Sequence, residues 1–143
     1  MEANLKLRYT KDQGQIIMTS TDEIRAIATR VRGWAEKRSV YERSDLTGMC
    51  AICSYRIGRL LTRHGYRPKL CMNKNHAFIT LGRGKQRIVV DVTATQFDHT
   101  EKVVITNLID KWYWKITDGV RLPADRKRIQ KMFHAWPLEQ RPI

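Results

Sequence analysis

Apolar residues recur at helical spacing through Ile24, Ile27, Ala28, Val31, Trp34 and Ala35, with Arg25, Arg30, Arg32 and Lys37 on the other positions. That period predicts an amphipathic helix. Ser20 stands three residues before Glu23, the pattern of a capping box. A second apolar stripe, Met49, Ile52, Cys53, Ile57, Leu60 and Leu61, predicts a helix over residues 49–64. Thr47 or Asp45 would cap it, Gly48 allows a tight approach, and Gly65 would stop it. Residues 39–48, holding Ser, Asp, Thr and Gly, read as loop. Upstream, residues 4–9 alternate as a short strand, and Gly14 breaks the chain before Ile16-Ile17-Met18.

Beyond Gly65 the period shortens to that of strands. Residues 68–72, 76–81 and 87–93 read as three of them, the last two joined by a turn at Gly82-Arg83-Gly84-Lys85 whose glycines supply positive φ. Residues 96–100 read as loop, and 102–105 and 112–116 as further strands. In the run Trp112-Tyr113-Trp114, alternation puts Trp112 and Trp114 on one face, most simply as core. A last helix starts at Leu122-Pro123-Ala124, with Pro at its first position, and runs to about residue 135. Helix, helix, antiparallel sheet and helix make an α+β domain. A chain of 143 residues is expected to form one such domain, 1–143, without disulfide or metal.

Net charge is +13, from 27 basic and 14 acidic residues. Such an excess favours nucleic acid, an anionic membrane or an acidic protein partner. The basic residues are dispersed, with clusters only at 25–38 and 126–131, and no motif interleaves them with stacking aromatics. Nucleic-acid binding is therefore expected to be weak and salt-dependent, and an acidic protein partner is the better fit. No stretch approaches the ~20 apolar residues of a membrane span. Met1 to Lys6 lack the apolar core of a signal peptide, and three cysteines leave at least one thiol unpaired. The expectation is a cytoplasmic protein, a setting that suits a phage or bacterial effector.

The candidate chemistry lies in three residues. Cys50 opens the second helix, where unpaired N–H groups and the positive end of the dipole favour a thiolate. Counting outward from the turn at 82–85, Leu81 faces Gln86, Ala77 faces Val90 and His76 faces Asp91. Residues directly opposed on two strands have Cβ atoms about 4.5–5.5 Å apart, so an imidazole–carboxylate contact is expected. A carboxylate fixes the tautomer and direction of an imidazole, and an imidazole activates a thiol.

Gly48-Met49-Cys50 before a helix, His76-Ala77-Phe78-Ile79 and Val90-Asp91-Val92-Thr93 together resemble the core of the transglutaminase-like families, relatives of the papain-like cysteine peptidases. Phe78 stands where those families usually carry Trp, and Val92 where they carry Pro. The Cys-to-His interval, 26 residues, is short for them, and the likeness covers 48–97. It implies a papain/transglutaminase-like fold, with the cysteine helix packed on a small antiparallel sheet bearing His and Asp. It further implies acyl chemistry on a protein or peptide amide: hydrolysis, glutamine deamidation or acyl transfer. By that resemblance Cys50 is the nucleophile, His76 the base and then acid, and Asp91 the orienting carboxylate. The Cys50 N–H is one oxyanion donor, and Tyr41, Ser44 and Asn75 are candidates for a second. No cofactor is called for.

Two rivals stand beside this reading. Cys50-Ala51-Ile52-Cys53 is a C-x-x-C, and with Cys71 and His76 it could ligate zinc. Against it, Cys53 falls on the apolar face of a well-patterned helix, where a cysteine usually acts as a small hydrophobe, and Cys71 reads as strand core. The second rival is a non-catalytic basic module of similar fold. Of the remaining histidines, His64 and His134 read as surface residues and His99 as a loop residue.

Overall fold

A computed structural model describes residues 8–9, 16–18, 20–38, 49–73, 76–97, 100–107, 113 and 118–136. These form a mixed α/β arrangement: three helices and a five-stranded antiparallel sheet, with a separate two-stranded pair. The pair is β1 (Arg8–Tyr9) and β2 (Ile16–Met18). Helices α1 (Ser20–Arg38) and α2 (Cys50–Arg63) follow. Then come β3 (Lys69–Met72), β4 (Ala77–Leu81), β5 (Ile88–Asp91), β6 (Val104–Asn107), β7 (Asp118–Arg121) and α3 (Arg126–Met132). The sheet order is β6-β5-β4-β3-β7.

The helical stripes do what their period requires. Ile24, Ile27, Ala28, Val31 and Ala35 of α1 and Cys53, Ile57 and Leu61 of α2 are buried in one core with Leu70, Ile79, Leu81, Ile88 and Val90 of the sheet. Central strands β4 and β5 are buried at every position, so they read as continuous apolar runs. The alternate residues, Cys71, Phe78 and Val89, form a second core with Tyr113 on the other face. Gly58 lets α2 lie close to the sheet: a Cβ there would stand 3.0 Å from Ile79 Cδ1 and 2.2 Å from Leu122 Cδ1. Ser54 Oγ ties the helix to β4 by donating to the Ala77 carbonyl at 3.1 Å.

Several local expectations are corrected. Ser20 does not form the capping box: it is buried at the head of α1, and its Oγ has no hydrogen-bond partner among the described residues. Glu23 instead accepts from the Tyr66 hydroxyl at 2.7 Å. Arg32, expected on the polar face, is 3% exposed. The last helix starts not at Pro123 but after Asp125, whose carboxylate accepts from the Arg128 N–H at 2.8 Å as an N-cap. Strand β7 went unforeseen; its Gly119 comes 3.2 Å from Cys71 Sγ at the position a Cβ would take. The residues 39–48, Trp112 and Trp114 lie outside the described residues.

The turn between β4 and β5 is longer than its glycines suggested. Gly82 and Gly84 do have positive φ, +92° and +56°, but a 3-10 turn over Gly84–Gln86 adds two residues before β5 begins. The pairs are therefore Leu81 with Ile88, Thr80 with Val89 and Ile79 with Val90. The register is displaced by two residues from the expected one. A shift of two leaves every side chain on its expected face, whereas a shift of one would have inverted them all.

Candidate active site

Three elements bring the site together. Cys50 is the first residue of α2, and its preceding residue, Met49, offers no side-chain cap. His76 stands immediately before β4, in a turn closed by Asn73. The Asn73 side chain accepts from the His76 N–H at 3.1 Å, and the Asn73 N–H donates to the His76 carbonyl at 2.9 Å. Asp91 is the last residue of β5. All three are buried, at 4%, 2% and 1% exposure.

His76 Nε2 and Asp91 Oδ2 are 2.7 Å apart. In the observed register Asp91 lies opposite Phe78, so this contact crosses the ladder diagonally rather than directly. A long side chain such as histidine spans that diagonal. The expected partners meet, by a geometry other than the one the turn count supplied. Asp91 also accepts from the Thr93 N–H at 2.9 Å, the Thr93 hydroxyl at 3.2 Å and the Tyr113 hydroxyl at 2.8 Å. Burial opposes its charge, but the neighbouring His76 and these donors outweigh burial and hold the carboxyl below its usual range.

For His76 burial likewise opposes the charged form. The charge and hydrogen bond of Asp91, followed by hydrogen bonding and charge from Cys50, overcome it and raise the imidazole to about 9. Asp91 occupies Nε2, so the side of the ring left for Cys50 is Nδ1. Gln96 brings its amide nitrogen to 3.4 Å from that same Nδ1. Phe97 meets the His76 ring edge-on with centroids 4.9 Å apart, and Phe78 is tilted against it at 6.0 Å. Phe97 is 36% exposed, the large apolar side chain that the site presents to solvent.

The other cysteines differ in kind. Burial, then the nearby charges of Cys50 and Asp91, push Cys53 up to about 12. Cys71 is raised by burial and lies 3.4 Å from the Thr80 hydroxyl, which also accepts from Arg87 at 3.0 Å. It sits in the core on the sheet face opposite α2. Cys50, Cys53, Cys71 and His76 therefore do not converge, and among the described residues no group of three or more His, Cys, Asp or Glu is arranged to hold a metal. His64 and His134 are exposed and bond to carbonyls of their own helix ends.

Tyr41, Ser44 and Asn75, the expected oxyanion donors, lie outside the described residues, as does His99. Sequence reasoning missed Tyr113, Thr93, Gln96 and Arg32. The aromatic run around Tyr113 was a signal, but alternation picked out its tryptophans. Arg32 reaches from α1 to the segment after β5, donating through Nη1 to the Val92 carbonyl and the Thr95 hydroxyl, each at 2.8 Å. It thus holds the stretch that carries Thr93 on one side and Gln96 on the other. Nothing in the sequence pattern separates such a buried arginine from its surface neighbours.

Comparison with protein-family models, curated proteins and solved structures found no match. Among the described residues no helix is long and apolar enough to cross a membrane.

Proposed function

We propose that the protein performs thiol-dependent acyl chemistry on an amide through Cys50, His76 and Asp91, within a fold of the papain/transglutaminase-like kind. The observation that carries this reading is the His76–Asp91 contact of 2.7 Å in an imidazole that also feels Cys50 at a helix N-terminus. An imidazole raised to about 9 is protonated at neutral pH, and the reacting form of the pair is a Cys50 thiolate beside that His76 imidazolium.

In the first half-reaction Cys50 Sγ attacks the amide carbonyl carbon, and the π electrons pass to oxygen. The oxyanion takes hydrogen bonds from the Cys50 N–H and the Gln96 amide. Its collapse breaks the C–N bond as His76 gives its Nδ1 proton to the departing nitrogen, leaving a thioester and neutral imidazole. Water or an amine then attacks the thioester while His76 Nδ1 takes its proton. Collapse expels the Cys50 thiolate and restores the ion pair. Ammonia, a peptide amine or a new amide is the product, according to substrate and acceptor. Phe97, beside the imidazole at the surface, suits contact with an apolar part of the substrate.

The test uses unfolded casein with and without a fluorescent primary amine, following ammonia, new N-termini and amine incorporation in parallel. At least one should appear with wild-type protein and vanish in Cys50→Ala. A product formed equally by the Cys50→Ala variant would defeat the proposal. The basic binding module is retained as a second reading because of an arginine-lined groove remote from this site. It requires nothing of Cys50, so the same variant separates the two.

A further inference from the structure

Helix α2 turns Cys50, Cys53, Ile57 and Leu61 toward the sheet and presents a different stripe outward. Arg56, Arg59 and Arg63 lie on that outer stripe and are exposed. With Trp34, Ile52 and Leu60 they line a cavity of about 250 Å³. A second cavity, about 210 Å³, shares Arg59 and Arg63 and continues to Leu122, Pro123 and Ala124. The two form one groove along the face of α2 opposite the candidate active site.

Two features make it more than a solvated charge run. The Arg56 guanidinium lies over the Trp34 ring at 4.0 Å, Arg38 approaches the same ring at 5.6 Å, and Arg59 lies over Tyr55 at 5.7 Å. Stacking fixes a guanidinium plane and leaves its N–H edge to hold an oxyanion bidentately, at less entropic cost than a loose side chain. Meanwhile no carboxylate among the described residues pairs with Arg56, Arg59 or Arg63. Three like charges are thus gathered with no carboxylate from the described residues paired to them, in a protein already at +13.

We infer that this groove docks an acidic, apolar-containing segment of a partner protein, its carboxylates on the guanidinium edges and its apolar side chains on the Ile52, Leu60 and Leu122 floor. Nucleic acid suits it less. The Trp34 and Tyr55 faces on which bases would stack are already covered by arginine. From Arg56 to Arg63 the groove spans only about 10 Å of helix, room for about three phosphate steps along one duplex strand. A second copy of the chain would bring +13 against +13. The inference is independent of the chemistry at Cys50.

Fluorescence anisotropy with a short labelled peptide of alternating Glu and Leu tests it, at about 0.15 M salt to suppress diffuse attraction. A Lys/Leu peptide and a labelled single-stranded oligonucleotide run beside it. The Glu/Leu peptide should bind, and Arg56→Glu with Arg59→Glu should weaken it by about tenfold or more, the loss of at least one charge-assisted contact. The neutral pair Arg56→Gln with Arg59→Gln should weaken it in the same direction by less. The matched reversal on α3, Arg126→Glu with Lys127→Glu, should change it by less than about threefold, as expected for screened distant charge. Equal weakening by the α2 and α3 pairs, or no binding of the Glu/Leu peptide, would overturn the inference. So would tighter, groove-dependent binding of the oligonucleotide, or binding explained by chain dimers in sedimentation.

Discussion

The Tyr113 hydroxyl donates to Asp91 Oδ2 at 2.8 Å, the same oxygen that holds His76. Tyr113 is fully buried and packs edge-on against Phe78 at 5.1 Å, so its hydroxyl is held in place by the second core. A buried carboxylate needs its donors, and removing one leaves the charge less compensated. Tyr113→Phe should therefore cost about 1–3 kcal/mol of stability at pH 7, measured by urea unfolding. The Asp91 carboxyl is depressed in the folded state, so its contribution is present above the unfolded value and lost as pH falls through the folded one. In Tyr113→Phe that loss should be smaller and should be complete at higher pH. An unchanged acid limb would mean that Tyr113 only fills space.

His76 titrates in the opposite sense. Its folded pKa, about 9, lies above the unfolded value near 6.5. The stability it contributes is fully present below about 6.5 and is lost as pH rises through 9. Unfolding free energy should fall across that window by on the order of 3 kcal/mol, and His76→Gln should flatten the fall. Equal slopes in the two proteins would show that the imidazole is not charged at rest.

Arg32 is a positioning residue rather than a member of the reacting set. Arg32→Lys keeps the charge but not the planar guanidinium whose Nη1 donates to both the Val92 carbonyl and the Thr95 hydroxyl. Turnover should fall about tenfold or more through misplacement of the 92–96 segment, with KM little changed. Arg32→Met should fall further. A variant that loses stability in proportion to activity would assign Arg32 to the core alone.

Asp91→Asn should impair turnover far more than folding. An amide cannot hold the imidazole in the same tautomer or stabilise its charge, and the loss should reach about 10²-fold or more. The His76 titration near 9 should drop toward its ordinary value, visible by NMR. Turnover and titration both unaltered would leave Asp91 as a structural residue of the β5 end.

Both helices that matter and three of the strands were legible because burial imposes their periods, and Ile24 to Ala35 and Cys53 to Leu61 obey the helical one. The His76–Asp91 contact was legible for a subtler reason. The turn was misjudged by two residues, and a side-chain period of two forgave the error. What sequence could not supply is contact across distance. Arg32 looks like any surface arginine until α1 is packed beside the segment after β5, and Tyr113 lies 22 residues from its partner. Gln96 is an ordinary polar residue in the reading and becomes chemical only beside Nδ1. Asp125 was a missed N-cap because Pro123 offered a competing helix start.

The most direct test of a Cys50–His76–Asp91 unit is the rate at which each thiol is alkylated. Brief iodoacetamide treatment at pH 6.5, followed by mass mapping, should label Cys50 first. Cys53, raised to about 12 by burial and neighbouring charge, and Cys71, buried in the second core, should stay unlabelled. In His76→Gln the Cys50 rate should fall about tenfold or more, because the imidazolium beside Cys50 is gone. Preferential labelling of Cys53 or Cys71, or a Cys50 rate indifferent to His76, would contradict the account.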